Sequence, residues 1–165
     1  MDDFLWRVSV AEVGEPGAFS IFPEVDRVLA VLEGRLSLRV AGDREPTILA
    51  PNSFARAFPG DVAAQGEPID GPVRDLNVMV RRGAWRAQID KLLPSGSMAV
   101  EILTPCTLIV AMGNATLRHG HEVVALGRLD AILTRGCDRD KIELASEGPV
   151  YLIHLSAEDD AAGSL

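Results

Sequence analysis

Basic charge, cysteine and histidine are all scarce in this chain, and each scarcity removes a class of function. Sixteen Lys and Arg stand against 24 Asp and Glu, a formal net charge of −8. Nucleic acid and anionic membrane both reward clustered cations, and the basic residues here are dispersed, so neither is expected as a partner. Cys106 and Cys137 lack C-x-x-C spacing and read as small buried hydrophobes. There is no run of the ~20 apolar residues that a membrane helix requires. The amino terminus Met1-Asp-Asp-Phe-Leu-Trp-Arg7 has neither the basic nor the long apolar region of a secretory signal. Together these point to a reduced, cytoplasmic home. The three histidines are His119, His121 and His154, so the first half has no imidazole to activate a nucleophile. No G-x-S-x-G, Gly-rich phosphate loop, paired catalytic carboxylates or Cys/His dyad stands out.

What is present is an ordinary globular composition, 47% apolar and 24% charged over 165 residues. A chain of that length buries about two thirds of its unfolded surface, so it needs no disulfide or metal to fold. Any metal is then functional rather than structural.

Periodicity points to strands. Arg35-Leu-Ser-Leu-Arg-Val40 alternates polar and apolar between Gly34 and the turn residues Ala41-Gly-Asp43, the pattern of a half-buried strand. The short apolar run Val28–Leu32 is expected to pair with it as a hairpin across Glu33-Gly34. Further strands are expected over Trp6–Val13, Thr47–Leu49, Ser53–Phe58, Val73–Arg81, Val100–Leu103, Thr107–Met112, Ala115–Leu117, Val123–Leu126, Ala131–Thr134, Ile142–Leu144 and Val150–Leu155. Ala84–Leu93 fits a helix or a strand, and its strand neighbours favour the strand. Many short strands punctuated by Gly and Pro make an all-β sandwich or barrel. Pro94-Ser-Gly-Ser97 reads as a linker between two β-rich parts, residues 1–93 and 98–165. The acidic, small-residue tail from Ala157 to Leu165 is expected to be loosely ordered.

Polar residues embedded in strand-like apolar stretches mark where a site is sought. They fall in Trp6-Arg7-Val-Ser9, Phe19-Ser20-Ile-Phe22-Pro23-Glu-Val-Asp26-Arg27, Leu32-Glu-Gly34, Phe58-Pro-Gly60-Asp61 and Gly71-Pro72-Val-Arg-Asp75-Leu-Asn77-Val-Met79. In this order, over most of the first 83 residues, these motifs resemble the HutD/Ves family. The resemblance implies a cupin-like fold, an RmlC-like jelly roll built as two β-barrels in one chain, or bicupin. It also implies a family often encoded with histidine-degradation enzymes.

The residues themselves permit a definite chemistry. On Val73–Arg81, Asp75, Asn77, Met79 and Arg81 share one face and Leu76, Val78 and Val80 the other. In a small barrel the polar set either lines a cavity or faces solvent. Arg7 and Arg27 can pair bidentately with a carboxylate, and Asn77 can donate and accept at once, as an amide or formyl group needs. Asp26 and Asp75 can orient those arginines, or the four can be salt bridges that hold the barrel together. Ser20 offers a hydroxyl, and Asp61 and Arg81 complete the candidate ligand-binding set. Gly60, Gly71 and Pro72 read as turn residues.

The expected ligand is a small anionic metabolite, and the resemblance narrows it to an intermediate of histidine degradation such as formylglutamate or urocanate. The expected role is regulatory or accessory rather than catalytic, with no cofactor and a homodimer as the default assembly. An alternative lies in Gly113-Asn-Ala-Thr-Leu-Arg-His119-Gly-His121, which opens like the cupin metal motif. Two imidazoles one residue apart on a strand share a face, yet a metal site needs a third ligand, and Ala125 and Leu126 stand where a Glu is required. No metal is therefore expected, and a metal-dependent cupin enzyme and a ligand-free assembly protein remain the competing readings.

Overall fold

In the computed structural model, residues 4–135 and 140–158 are described. Cys137 and the tail beyond 158 lie outside them. Among the described residues there are fourteen strands and no α-helix. Nor, among these residues, is any helix long and apolar enough to cross a membrane. The chain forms two compact units, Met1–Trp85 and Arg86–Leu165.

The first unit is a single bent sheet. Two long strands, β3 (Val25–Val40) and β6 (Ala64–Arg81), run antiparallel along its length. At one end β1 (Trp6–Val13) pairs with the second half of β6, and β5 (Arg56–Pro59) with the first half of β3. At the other end β2 (Gly17–Ala18) joins β6 and β4 (Thr47–Leu49) joins β3. The hairpin expected across Glu33-Gly34 is absent. Gly34, at φ +81°, instead sits in a β-bulge of one continuous strand, where the register shifts on both sides of Glu33. Opposite it, Asp70 and Gly71 also have positive φ, at 60° and 125°. A positive φ inside a strand bends it instead of reversing it.

This bend folds the sheet over itself, so that both halves contribute to one core. Leu29, Val31, Phe58 and Val73 from one half meet Leu36, Leu38, Val40, Leu49 and Ala64 from the other. Leu36 and Leu38 point inward while Arg35 and Arg39 are exposed, as the alternation predicts.

The second unit is a sandwich. One sheet has the order β11 (Glu122–Leu126), β10 (Ala115–His119), β13 (Lys141–Ser146), β8 (Ser97–Glu101). The other has β12 (Ala131–Arg135), β9 (Cys106–Ala111), β14 (Val150–Ala157), β7 (Trp85–Leu92). Ile109, Ala111, Val150 and Leu152 of one sheet pack on Leu117, Ile142 and Leu144 of the other. The ambiguous segment Ala84–Leu93 is thus the strand β7. Its place in the second unit's sheet moves the division of the chain to Trp85/Arg86, ahead of the linker expected at 94–97. None of the three sheets closes on itself among the described residues. The expected all-β architecture is present, and its sheets are open among the described residues.

Gly34 carries the bend. A Cβ there would lie 2.7 Å from the Pro72 carbonyl oxygen, inside van der Waals contact, and at an unfavourable φ. Gly34→Ala is expected to destabilise the fold by about 2 kcal/mol or more, lowering the melting temperature by roughly 5 °C or more. Gly42→Ala is the control for positive φ alone, since a Cβ there meets nothing within 4 Å. Equal losses from both variants would show that the close approach at Gly34 does not matter.

Candidate functional site

Cross-strand pairing gathers the polar residues. Arg27 pairs with Met79, Leu29 with Asn77 and Val31 with Asp75, and paired residues share a face. Leu29, Val31 and Val73 belong to the first unit's core, so the face that bears Arg27, Asp75 and Asn77 is the interior one. All three are buried, Arg27 to 3% exposure and Asp75 to 1%.

The guanidinium of Arg27 lies between two rings, 4.9 Å from the centroid of Phe19 and 5.2 Å from that of Phe58. Such cation–π contacts replace part of its lost hydration. Its Nε donates to Asn77 Oδ1 at 3.4 Å, and its Nη1 to the Ser20 carbonyl oxygen at 3.3 Å. Both bonds are long for a charged donor. Two glycines make the room. A Cβ on Gly60 would meet the Val25 carbonyl at 2.9 Å and the Arg27 stem, and one on Gly66 would meet the Phe19 ring at 2.9 Å.

Asp75 is a counter-charge that Arg27 feels. Its Oδ1 is buried without a hydrogen-bond partner among the described residues. Burial pushes its pKa up from 3.8 to about 6, against the opposing pull of Arg27 and a hydrogen bond from the Ala11 backbone. Burial likewise lowers the pKa of Arg27, and Asp75 only partly offsets that. The pair is close enough for each to feel the other's charge, and each remains incompletely solvated by protein.

The other expected residues are placed differently. Arg7 pairs with Met79 from β1 and so shares the interior face, two strands from Arg27, although its side chain is exposed. Ser20 contributes its carbonyl rather than its hydroxyl. Asp26 and Asp61 do not orient Arg27 or Arg7. Both bind Arg82, which donates from Nε to Asp26 at 2.8 Å and from Nη1 and Nη2 to Asp61 at 2.7 and 3.0 Å. Arg82 lowers the pKa of Asp61 through these bonds. This exposed clamp ties the Gly60-Asp61 turn to the start of β3 and the end of β6. Arg81 lies 3.9 Å from Glu24.

Sequence reasoning assigned no role to Phe19, Phe58 or Arg82. Both rings fall within the family motifs, which is the signal that marks them, whereas their place on either side of Arg27 exists only in the fold. Arg82 carried none.

In the second unit, the hairpin β10–β11 places His119 opposite Glu122, with Gly120 and His121 as its two-residue turn. His121 is therefore not on a strand beside His119, and Glu122 does not point away from His119, as a continuous strand would require. No group of three metal-ligating side chains forms among the described residues. His154 is buried, with Nδ1 3.5 Å from Thr107 Oγ1 and Nε2 3.3 Å from Asp90. Thr107 is completely buried, so the hydroxyl of this Asp-His-Thr chain is withheld from solvent. Burial lowers the pKa of His154 more than Asp90 raises it. Cys106 is half-buried, and burial raises its thiol pKa.

Comparison with known proteins decides the family. The HutD family model matches residues 1–152. The chain belongs to the HutD family. An uncharacterised 21.2 kDa protein in the hutC 3′ region of Pseudomonas putida is 29% identical over 162 residues, 94% of this chain and 80% of that protein. Protein Ves of Cronobacter sakazakii is 36% identical over 89 residues, 53% of this chain and 48% of that protein. Among solved structures, HutD from Pseudomonas fluorescens, in a formate condition, superposes with a TM-score of 0.77 at 27% identity, over 94% of this chain and 80% of that one. A conserved protein of unknown function from Pseudomonas aeruginosa gives 0.85 at 28% identity, over 94% and 82%. A cupin 2 conserved barrel domain protein from Leptotrichia buccalis gives 0.59 at 6% identity, over 96% and 86%, a likeness of fold alone. This HutD-family chain is thus cupin-like in architecture.

The raised pKa of Asp75 sets the sign of a pH dependence. Its carboxyl holds a proton in the native state up to about pH 6, whereas the unfolded chain releases it near 4. The native state binds more protons in that window, so this group's contribution to stability falls as pH rises from about 4 to 7. Asp75→Asn removes the titration. The melting temperature of the variant minus that of the wild type is expected to grow from pH 4 to pH 7 and level off above. A difference that stays constant across that range would refute the buried-carboxyl assignment.

Proposed function

We propose that this HutD-family protein binds a small anionic metabolite at Arg27, in a regulatory or accessory role linked to histidine utilisation. The observation that carries the reading is the state of Arg27: a guanidinium buried between two rings, held by two long hydrogen bonds, beside a carboxyl that resists ionisation. A cation placed only for stability gains from a full set of short, charge-assisted bonds. Arg27 has no such set among the described residues, which leaves donors for an external carboxylate.

The segment from Phe19 to Pro23 covers this site. It is fixed by Phe19 N–H donating to the Ala64 carbonyl at 2.9 Å and Phe22 N–H to the Gly60 carbonyl at 2.8 Å. A ligand carboxylate takes the place of the Ser20 carbonyl and engages the fork of Arg27. Asn77 reads an amide or formyl group. Arg7, on the same face and roughly 10 Å away across two strand spacings, takes a second carboxylate. A dicarboxylate such as formylglutamate fits this set, and the monocarboxylate urocanate uses part of it. The genomic setting comes from the relatives, one named for the hutC 3′ region and another named HutD. In the same reading each unit is one cupin-like module of a bicupin. The protein is cytoplasmic, and its action is retention of the ligand without turnover.

An anion at Arg27 also disfavours the ionised form of Asp75, so binding takes up a proton and strengthens as pH falls toward 6. Calorimetric titration with formylglutamate, urocanate and glutamate at pH 6 and pH 8 tests this. Saturable binding to one of them, tighter at pH 6, is expected. Arg27→Lys keeps the charge but loses the fork, and is expected to weaken binding at least tenfold. A folded wild-type protein that binds none of the three carboxylates, or an Arg27→Lys variant of equal affinity, would overturn the proposal.

A further inference from the structure

We propose that the second unit carries a separate pocket for a small organic cation with an apolar body. A cavity of about 200 Å³ opens at one end of the sandwich, between β10, β11, β12 and β13. At a water's share of ~30 Å³, that is room for roughly seven water-sized groups. Its floor is apolar, formed by Ile102, Leu117, Ile132 and Ile142. Its mouth carries His119, Glu122, Thr134 and Asp140.

Strand alternation fixes which groups face inward. Leu117 and Ile132 pack in or against the sandwich core, so His119 and Thr134, each two residues further along its strand, face the same interior. Glu122 is the cross-strand partner of His119, as Val124 is of Leu117, and both therefore share that face. Arg135 also borders the cavity, but alternation turns its side chain to the opposite face. There it pairs with Cys106 across the strands and opposes the rise in that thiol's pKa.

Among the described residues, the polar groups that line the cavity besides Arg135 are mostly acceptors. Glu122 and Asp140 are carboxylates, with Asp140 3.9 Å from His119 Nε2. The Thr134 hydroxyl donates its proton to the Thr107 carbonyl at 3.0 Å, which leaves its oxygen lone pairs to accept. Two carboxylates and an accepting hydroxyl over an aliphatic floor suit an ammonium or imidazolium head on a ring or short chain. The preference is opposite in sign to that of Arg27, and the pocket lies wholly within the second unit, so it stands independently of the first site.

The probe is benzylamine, cationic at pH 7, with benzyl alcohol and benzoate as its neutral and anionic counterparts. Each is titrated into the full 15N-labelled chain and followed by two-dimensional amide spectra. Benzylamine is expected to give saturable shifts centred on Leu117, Glu122, Val124 and Thr134, at least tenfold tighter than either counterpart. The exposed double substitution Glu122→Gln with Asp140→Asn is expected to weaken benzylamine at least fivefold and leave the spectrum of the first unit unchanged. Absence of saturable shifts at these positions would overturn the pocket. Equal binding of benzyl alcohol, or an unaffected double variant, would overturn its preference for cations.

Discussion

The close approach of β3 to the Pro72 carbonyl at Gly34 is the constraint on which the first unit rests. Two strands of 16 and 18 residues would otherwise form a flat ribbon with one face left in water. Bending both at the same level brings the halves of the sheet together and creates an interior. Each half then supplies about half of the core, and the polar side chains that were merely on one face of a strand become buried. The bend thus precedes the site. Without it Arg27, Asn77 and Asp75 would be solvated surface residues of no special chemistry.

Burial creates an electrostatic problem that the interior only partly solves. Desolvation disfavours the charged forms of both Arg27 and Asp75, and their mutual attraction recovers part of the loss. Stacking between Phe19 and Phe58 recovers more on the arginine side. The carboxylate has no such help at Oδ1. A group held in this balance responds to any new charge brought near it.

The second unit shows how local sequence can mislead about chemistry. Gly120 and His121 occupy a hairpin turn, so a spacing that resembles a metal motif delivers one inward-facing imidazole and a neighbouring glutamate. The same turn makes an acceptor-rich mouth above an aliphatic floor. His154, the histidine with the deepest burial, holds a hydrogen-bonded place in the core with Thr107 and Asp90.

Much of this was legible in the chain itself. Alternation and Gly/Pro punctuation placed most of the strands, because side-chain direction in a strand depends only on residue parity, while β7 fitted helix and strand periods alike and only its strand neighbours favoured the strand. The same parity put Asp75 and Asn77 on one face, and the ordered motifs of the first 83 residues pointed to the family. Composition and motifs were silent about which side of each sheet is interior and where long strands bend. They were equally silent about which carboxylate meets which arginine: Asp26 and Asp61 go to Arg82, and Asp75 acts on Arg27. Those outcomes depend on residues far apart in sequence, Phe19, Arg27, Phe58, Gly60 and Asn77 among them, coming within a few ångströms of one another. Local sequence specifies direction and period, whereas burial, and with it the charge state of every polar group at the site, exists only once distant segments have packed.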